Sequence, residues 1–174
     1  MMGMFSGNQK QEPMHYGEVF SVWSALSLAK GQLAAYQVYY NHAGDKDLKS
    51  FIAEMIENVI KPSIEENETL LKQNSVGLPI APPERSDANR EDIPVGAKIM
   101  DPEIAATMSK DIAQGLIADS TVIGQCIRED IAIMYGQFHM KKAQMGAKLL
   151  KMNKKKGWLI APPLHKPSKT NQTD

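Results

Sequence analysis

The chain contains a single Glu-x-x-His, Glu12-Pro-Met-His15, and Glu18 follows three residues later. Two carboxylates and an imidazole at helical spacing could hold one divalent cation at the surface. A dinuclear centre inside a four-helix bundle asks for more. It takes inward carboxylates from two helices and Glu-x-x-His from each of the other two. Glu54 and Glu57 could supply carboxylates, but their stretch has no His. His139 has Gly136 three residues before it, where the Glu would stand. The expectation is therefore no metal site. Glu12, His15 and Glu18 read as a solvated helix start whose acids favour the dipole, and His139 as a satisfied structural histidine.

No Gly-rich phosphate loop, nucleophile elbow or usefully spaced Cys–His pair is present. No catalytic residue and no cofactor are expected, and the chain reads as non-enzymatic. Cys126, the single cysteine, excludes an internal disulfide and fits a reducing compartment; it is expected to be buried and inert. Lys154-Lys155-Lys156 could meet phosphate or anionic lipid, but a solvated helix end is the simpler reading. Residues 1–100 hold 9 basic and 13 acidic side chains, residues 101–174 hold 11 and 7. That split reads as surface patterning rather than a nucleic-acid footprint. The N-terminus lacks a basic segment followed by an apolar run, so it is not a secretory signal. No stretch approaches 18 uninterrupted apolar residues, so no membrane span is expected. Synthesis in a cytoplasm follows.

Positioning falls to helices. At 174 residues, 43% hydrophobic and 23% charged, the chain suits one domain over 1–174. Val19, Val22, Trp23, Leu26, Ala29, Leu33, Tyr36 and Tyr40 recur at three- and four-residue spacing, predicting a helix from Gly17. Phe20, Leu28, Ala35, Val38 and Tyr39 widen its apolar stripe beyond one bundle face, which predicts a homodimer. A second helix is expected over 47–73 with a kink at Pro62, a third from Asp101, and a fourth from a cap at Asp130. The acidic face of the second (Glu54, Glu57, Glu65, Glu66, Glu68) and the basic face of the fourth (Lys141, Lys142, Lys148, Lys151) predict salt-sensitive contact between molecules.

LLKQNSVGLPIAPP at 70–83 and LLKMNKKKGWLIAPP at 149–163 repeat one helix stop, with Gly77 and Gly157 expected in the left-handed position. Trp158 and Ile160, like Leu78 and Ile80, should fold back onto the bundle. The reading is an all-α, ferritin-like four-helix bundle of two tandem hairpins: 15–83 with its terminator, a long crossover at 84–100, and 101–163 with the second terminator.

The segment GEVFSVWSALSLAKGQLAAYQVYYNHAGDKDLK, with LPIAPPERSD and KKKGWLIAPP, resembles a family of uncharacterised ferritin-like proteins from spore-forming bacteria. These often carry provisional spore coat labels and are similar to the coat protein F group. The resemblance covers about residues 17–165 and implies a sporulation context, a spore coat location and other coat proteins as partners. It implies no catalytic residue. A ferritin-like metal protein with an incomplete ligand set is the alternative.

Overall fold

A computed structural model describes residues 12–165. Among them the regular structure is helical, with no strand. Helix α1 spans Tyr16–His42. Helix α2 spans 46–73 as three continuous segments, Lys46–Met55, a π-helical turn at Ile56–Ile60, and Lys61–Gln73. Helices α3 and α4 span Asp101–Gln125 and Glu129–Lys156.

Pro62 does not break α2. It has no N–H to donate and its ring crowds the turn before it. The strain is taken up one turn earlier, where the Lys61 N–H reaches back five residues to the Ile56 carbonyl. The expected kink is thus a π turn.

Asp45 caps α2, its carboxylate accepting from the Asp47 and Leu48 N–H groups at 2.9 and 3.1 Å, whereas the starts of α3 and α4 differ from the sequence reading. His15, not a Ser or Asp, caps α1: its Nδ1 accepts from the Gly17 N–H at 2.9 Å, and the Glu18 carboxylate accepts the His15 N–H at 3.1 Å. Asp101 lies inside the first turn of α3 rather than capping it, because its carboxylate is spent on the α1–α2 turn. It accepts from the Gly44 and Asp45 N–H groups at 2.8 and 3.1 Å. Arg128, not Asp130, stands at the cap of α4; Asp130 is drawn away into a two-pronged pair with the Arg128 guanidinium.

The two helix stops are not alike. Gly157 is left-handed at φ 72°, and the Trp158 N–H bonds to the Asn153 carbonyl. In the first copy Ser75 takes the left-handed place at φ 58°, and the Val76 N–H bonds to Leu71. Gly77 lies beyond the stop, where its carbonyl accepts from the Trp23 indole. Trp158 and Leu78 pack against the core as expected, but Ile80 and Ile160 are exposed.

After α2 the chain runs as a strap beside α1, in the same direction. Trp23 donates to Gly77, Lys30 to Pro79, and Gln37 accepts from Arg85. Asn41 both donates to Ser86 and accepts from Ala88. Finally Arg90 donates to the His42 carbonyl and the Ile99 N–H donates to the His42 ring. Residues 77–99 thus retrace α1 almost end to end, with short 3-10 turns at Arg90–Asp92 and Val95–Ala97.

The apolar core is divided. One cluster gathers Tyr36, Phe51, Ile52, Met55, Ile104, Met108 and Leu149. The other gathers Val22, Leu26, Leu71, Val122, Ile131 and Phe138. Between them, in register with the buried rows, stand Ser63 and Asn67 on α2, Asp119 on α3 and Lys142 on α4.

Candidate functional site

The N-terminal trio is absorbed by the fold. Glu18 is buried, and its carboxylate accepts from the N–H groups of Ile127 and Arg128 at 2.9 Å each, as well as from His15. Burial alone would raise its pKa; the hydrogen bonds from Arg128, His15 and Ile127 outweigh that and hold it below the usual range. His15 spends Nδ1 on the cap and reaches the Gln125 carbonyl through Nε2 at 3.2 Å. Glu12 is exposed, and its backbone carbonyl accepts from Arg128. Arg128 also donates to the Asn74 side chain, so one guanidinium ties together the ends of α2 and α3 and the chain before α1. The three residues form a structural knot, and among the described residues no group of three His, Cys, Asp or Glu side chains is arranged to hold a metal.

At the waist the buried polar side chains bond to one another and to the backbone of α2. The Tyr135 hydroxyl donates to Asn67 at 2.8 Å, Asn67 donates to the Ser63 carbonyl at 2.6 Å, and the Ser63 hydroxyl donates to Ile60 at 2.8 Å. Lys142 donates to both oxygens of buried Asp119 at 2.7 Å. Burial raises the Asp119 pKa, and the Lys142 charge and hydrogen bond only partly offset this. A cavity of about 100 Å³ lies at this waist, walled by Val59, Ile60, Asn67, Tyr135, Phe138 and Lys142. It reaches Leu28 on α1 and Ala118 on α3, both exposed, so it opens between those two helices.

None of these waist residues stood out as a site in the sequence. The available signal was register: Asn67 and Asp119 each occupy a step of an apolar row where Ile or Leu would be expected. Glu54 and Glu57 lie elsewhere, bonded to Lys148 and Lys61. His139 is half-buried with Nδ1 3.2 Å from the Leu116 carbonyl and 3.4 Å from the Ser120 hydroxyl. Cys126 is half-buried at the end of α3, and burial, with Glu18 and Asp130 nearby, pushes its thiol up to about 11. At neutral pH it is a thiol, not a nucleophilic thiolate.

The charged faces of α2 and α4 touch within the chain at one pair of the residues named for them, Glu54 and Lys148, and near the end of α4. Lys148 bonds to Glu54, and Lys156 lies 2.6 Å from Asp45 and 2.8 Å from Asp47. The Lys154–Lys156 run is therefore anchored at its last residue rather than wholly solvated. Glu68 is held by Lys30 at 2.8 Å and Lys72 at 3.1 Å.

The outer face of α1 is built otherwise. Only two of its residues are Asp, Glu, Lys or Arg: Glu18 is buried in the knot, and Lys30 is pinned between Glu68 and Pro79. The side away from the core carries Tyr16, Phe20, Ser24, Ser27, Leu28, Gly31, Ala35 and Val38. Tyr16 is 94% exposed, and Phe20 and Leu28 are each 72% exposed. A helix so free of exposed charge is unusual at a water boundary.

An all-helical chain with a divided core and an uncharged outer helix has clear relatives. It belongs to the DUF3231 family of proteins of unknown function, whose model matches residues 2–170. It is 51% identical to the uncharacterised protein YvdQ of Bacillus subtilis (strain 168) over 164 residues, 94% of this chain and 96% of that one. The crystal structure of BH2358 from Bacillus halodurans C-125, provisionally described as a spore coat protein, matches with a TM-score of 0.89 at 54% identity. That match covers 91% of this chain and 99% of the other. The resemblance drawn from the sequence is shown. Among the described residues, no helix is long and apolar enough to cross a membrane.

Proposed function

We propose that this protein is a non-enzymatic assembly component of the spore coat, working as a homodimer through the outer face of α1. The observation that carries the reading is that face. From Tyr16 to Val38 it runs about 33 Å, at 1.5 Å per residue, with large apolar side chains at one end and small residues along the middle. Ser24, Ser27 and Gly31 leave room for a second helix to approach closely. A two-fold partner offering the same face would cover Phe20 and Leu28 without stranding a charge. The coat context comes from the description of the Bacillus halodurans protein. In this reading the strap is the crossover of a ferritin-like bundle, with α1–α2 and α3–α4 as its two hairpins, and other coat proteins are its further partners.

A dinuclear metal centre fits the residues poorly. At the waist, where such ligands would converge, stand Ser63, Asn67, Tyr135 and a closed Asp119–Lys142 pair. Glu54 and Glu57 are engaged with lysines elsewhere. The function is tested by tagging the chain in a sporulating Bacillus and fractionating the culture. Enrichment in the coat extract is the expected result. Uniform recovery from vegetative cells, with none in the coat, would overturn it.

A further inference from the structure

The cavity at the waist has a charge imbalance that the fold does not resolve. Three charged side chains line it: Asp111, Asp119 and Lys142. Asp119 and Lys142 neutralise one another at 2.7 Å. Asp111 remains, half-buried on the α3 wall, with no hydrogen bond or ion pair among the described residues. Only the charge of its chain neighbour Lys110 offsets its burial, and burial prevails, so its pKa is raised. Two aromatic groups lie within reach of its charge. Tyr36 and Tyr39 are raised first by burial and then by Asp111, and their rings sit 5.6 Å apart. The Tyr36 hydroxyl is fully buried, and the Gln32 side chain, which also lines the cavity, lies close enough to lower its pKa in part.

We propose that this cavity binds a small organic cation, a short alkylammonium, with its charged end on Asp111 and its apolar body in the waist. The charge count selects the sign, since the walls carry one unpaired negative charge and desolvating it without a partner is costly. The body is selected by Ala25, Ala29, Val59, Ile60 and Phe138, which offer it no hydrogen bond from their side chains. Size follows from volume. A cavity of about 150 Å³ takes benzene, with its six carbons, so about 100 Å³ suits four or five heavy atoms. The π turn contributes Val59 and Ile60 to the wall, and such turns recur at ligand sites.

Isobutylammonium and its neutral isostere isobutanol, with five heavy atoms each, make the test. Each is titrated into the purified full-length protein and followed by amide chemical shifts. Isobutylammonium should give saturable shifts at waist residues with a Kd of about 1 mM, as expected for so small a ligand. Isobutanol should bind at least tenfold more weakly. Asp111→Asn should remove that preference, and Ala118→Leu, which narrows the mouth from an exposed position, should weaken both ligands. Equal affinity for the two probes, an unchanged preference in Asp111→Asn, or no saturable waist shifts would overturn the proposal. Sedimentation equilibrium on both variants separates the result from any effect on pairing through α1.

Discussion

Replacing Glu18 with alanine removes one carboxylate that serves three backbone donors. The N–H groups of His15, Ile127 and Arg128 would all lose their acceptor. A buried donor left unsatisfied costs about 1–3 kcal/mol. The Arg128 N–H is fully buried, whereas those of His15 and Ile127 are only partly so and can recruit water. One full penalty and two reduced ones give about 3 kcal/mol. For a domain of this size that lowers Tm by about 6–12 °C. Glu18→Gln keeps an acceptor oxygen but turns an N–H₂ towards a donor, and should lose about half as much. Differential scanning calorimetry at fixed protein concentration measures both. A fall of less than about 2 °C for the alanine variant would show that the knot joining α1 to the α3–α4 turn does not hold the fold as argued.

Acid should loosen the same knot. Glu18 has a folded-state pKa below its ordinary 4.5, so its stabilisation is present above about pH 4.5 and is lost as pH falls through the lower folded value. Asp130, Asp45 and Glu68 shift in the same direction through Arg128, Lys156 and Lys30. Stability measured by urea titration should thus fall below about pH 4.5, with a shallower slope in Glu18→Gln; parallel slopes would contradict the assignment. The helix stops give a paired test. Ser75→Gly should stabilise by about 0.5–1 kcal/mol, because Ser75 holds φ 58° where glycine is unstrained. Gly157→Ala, at φ 72°, should destabilise by about 1–2 kcal/mol. Gly77→Ala should be near neutral in chemical denaturation, since a Cβ there meets nothing within 4 Å; a loss equal to that of Gly157→Ala would return Gly77 to the stop.

What the sequence made legible was periodic. Apolar rows placed the four helices within a few residues, because burial repeats every three or four positions whatever lies opposite. Partnership was not legible. The list Glu54, Lys148, Asp45, Lys156 gives signs without directions, and only the packing of α4 against α2 shows that Lys148 meets Glu54 and Lys156 meets Asp45 within the chain. The caps of α3 and α4 failed for a similar reason. Asp101 and Asp130 have the right chemistry to cap a helix, but donors from Gly44 and Asp45 across the fold, and from Arg128 two residues away, compete for them and win. Gly77 was misassigned because glycine fits a left-handed position so well that Ser75, two residues earlier, drew no attention. The waist was readable in part, since Asn67 and Asp119 interrupt apolar rows. That these interruptions coincide in space, beside a cavity, depends on the stagger between helices.

What covers the outer face of α1 is measured most directly by sedimentation equilibrium at micromolar concentration. The chain has a mass of 19.3 kDa. The wild-type protein should sediment at twice that mass. The double variant Phe20→Glu/Leu28→Glu, altered only at exposed positions, should sediment as a monomer with unchanged helical circular dichroism. Wild-type protein at 19.3 kDa, or a variant that stays at twice that mass, would contradict the claim that this helix face joins two copies.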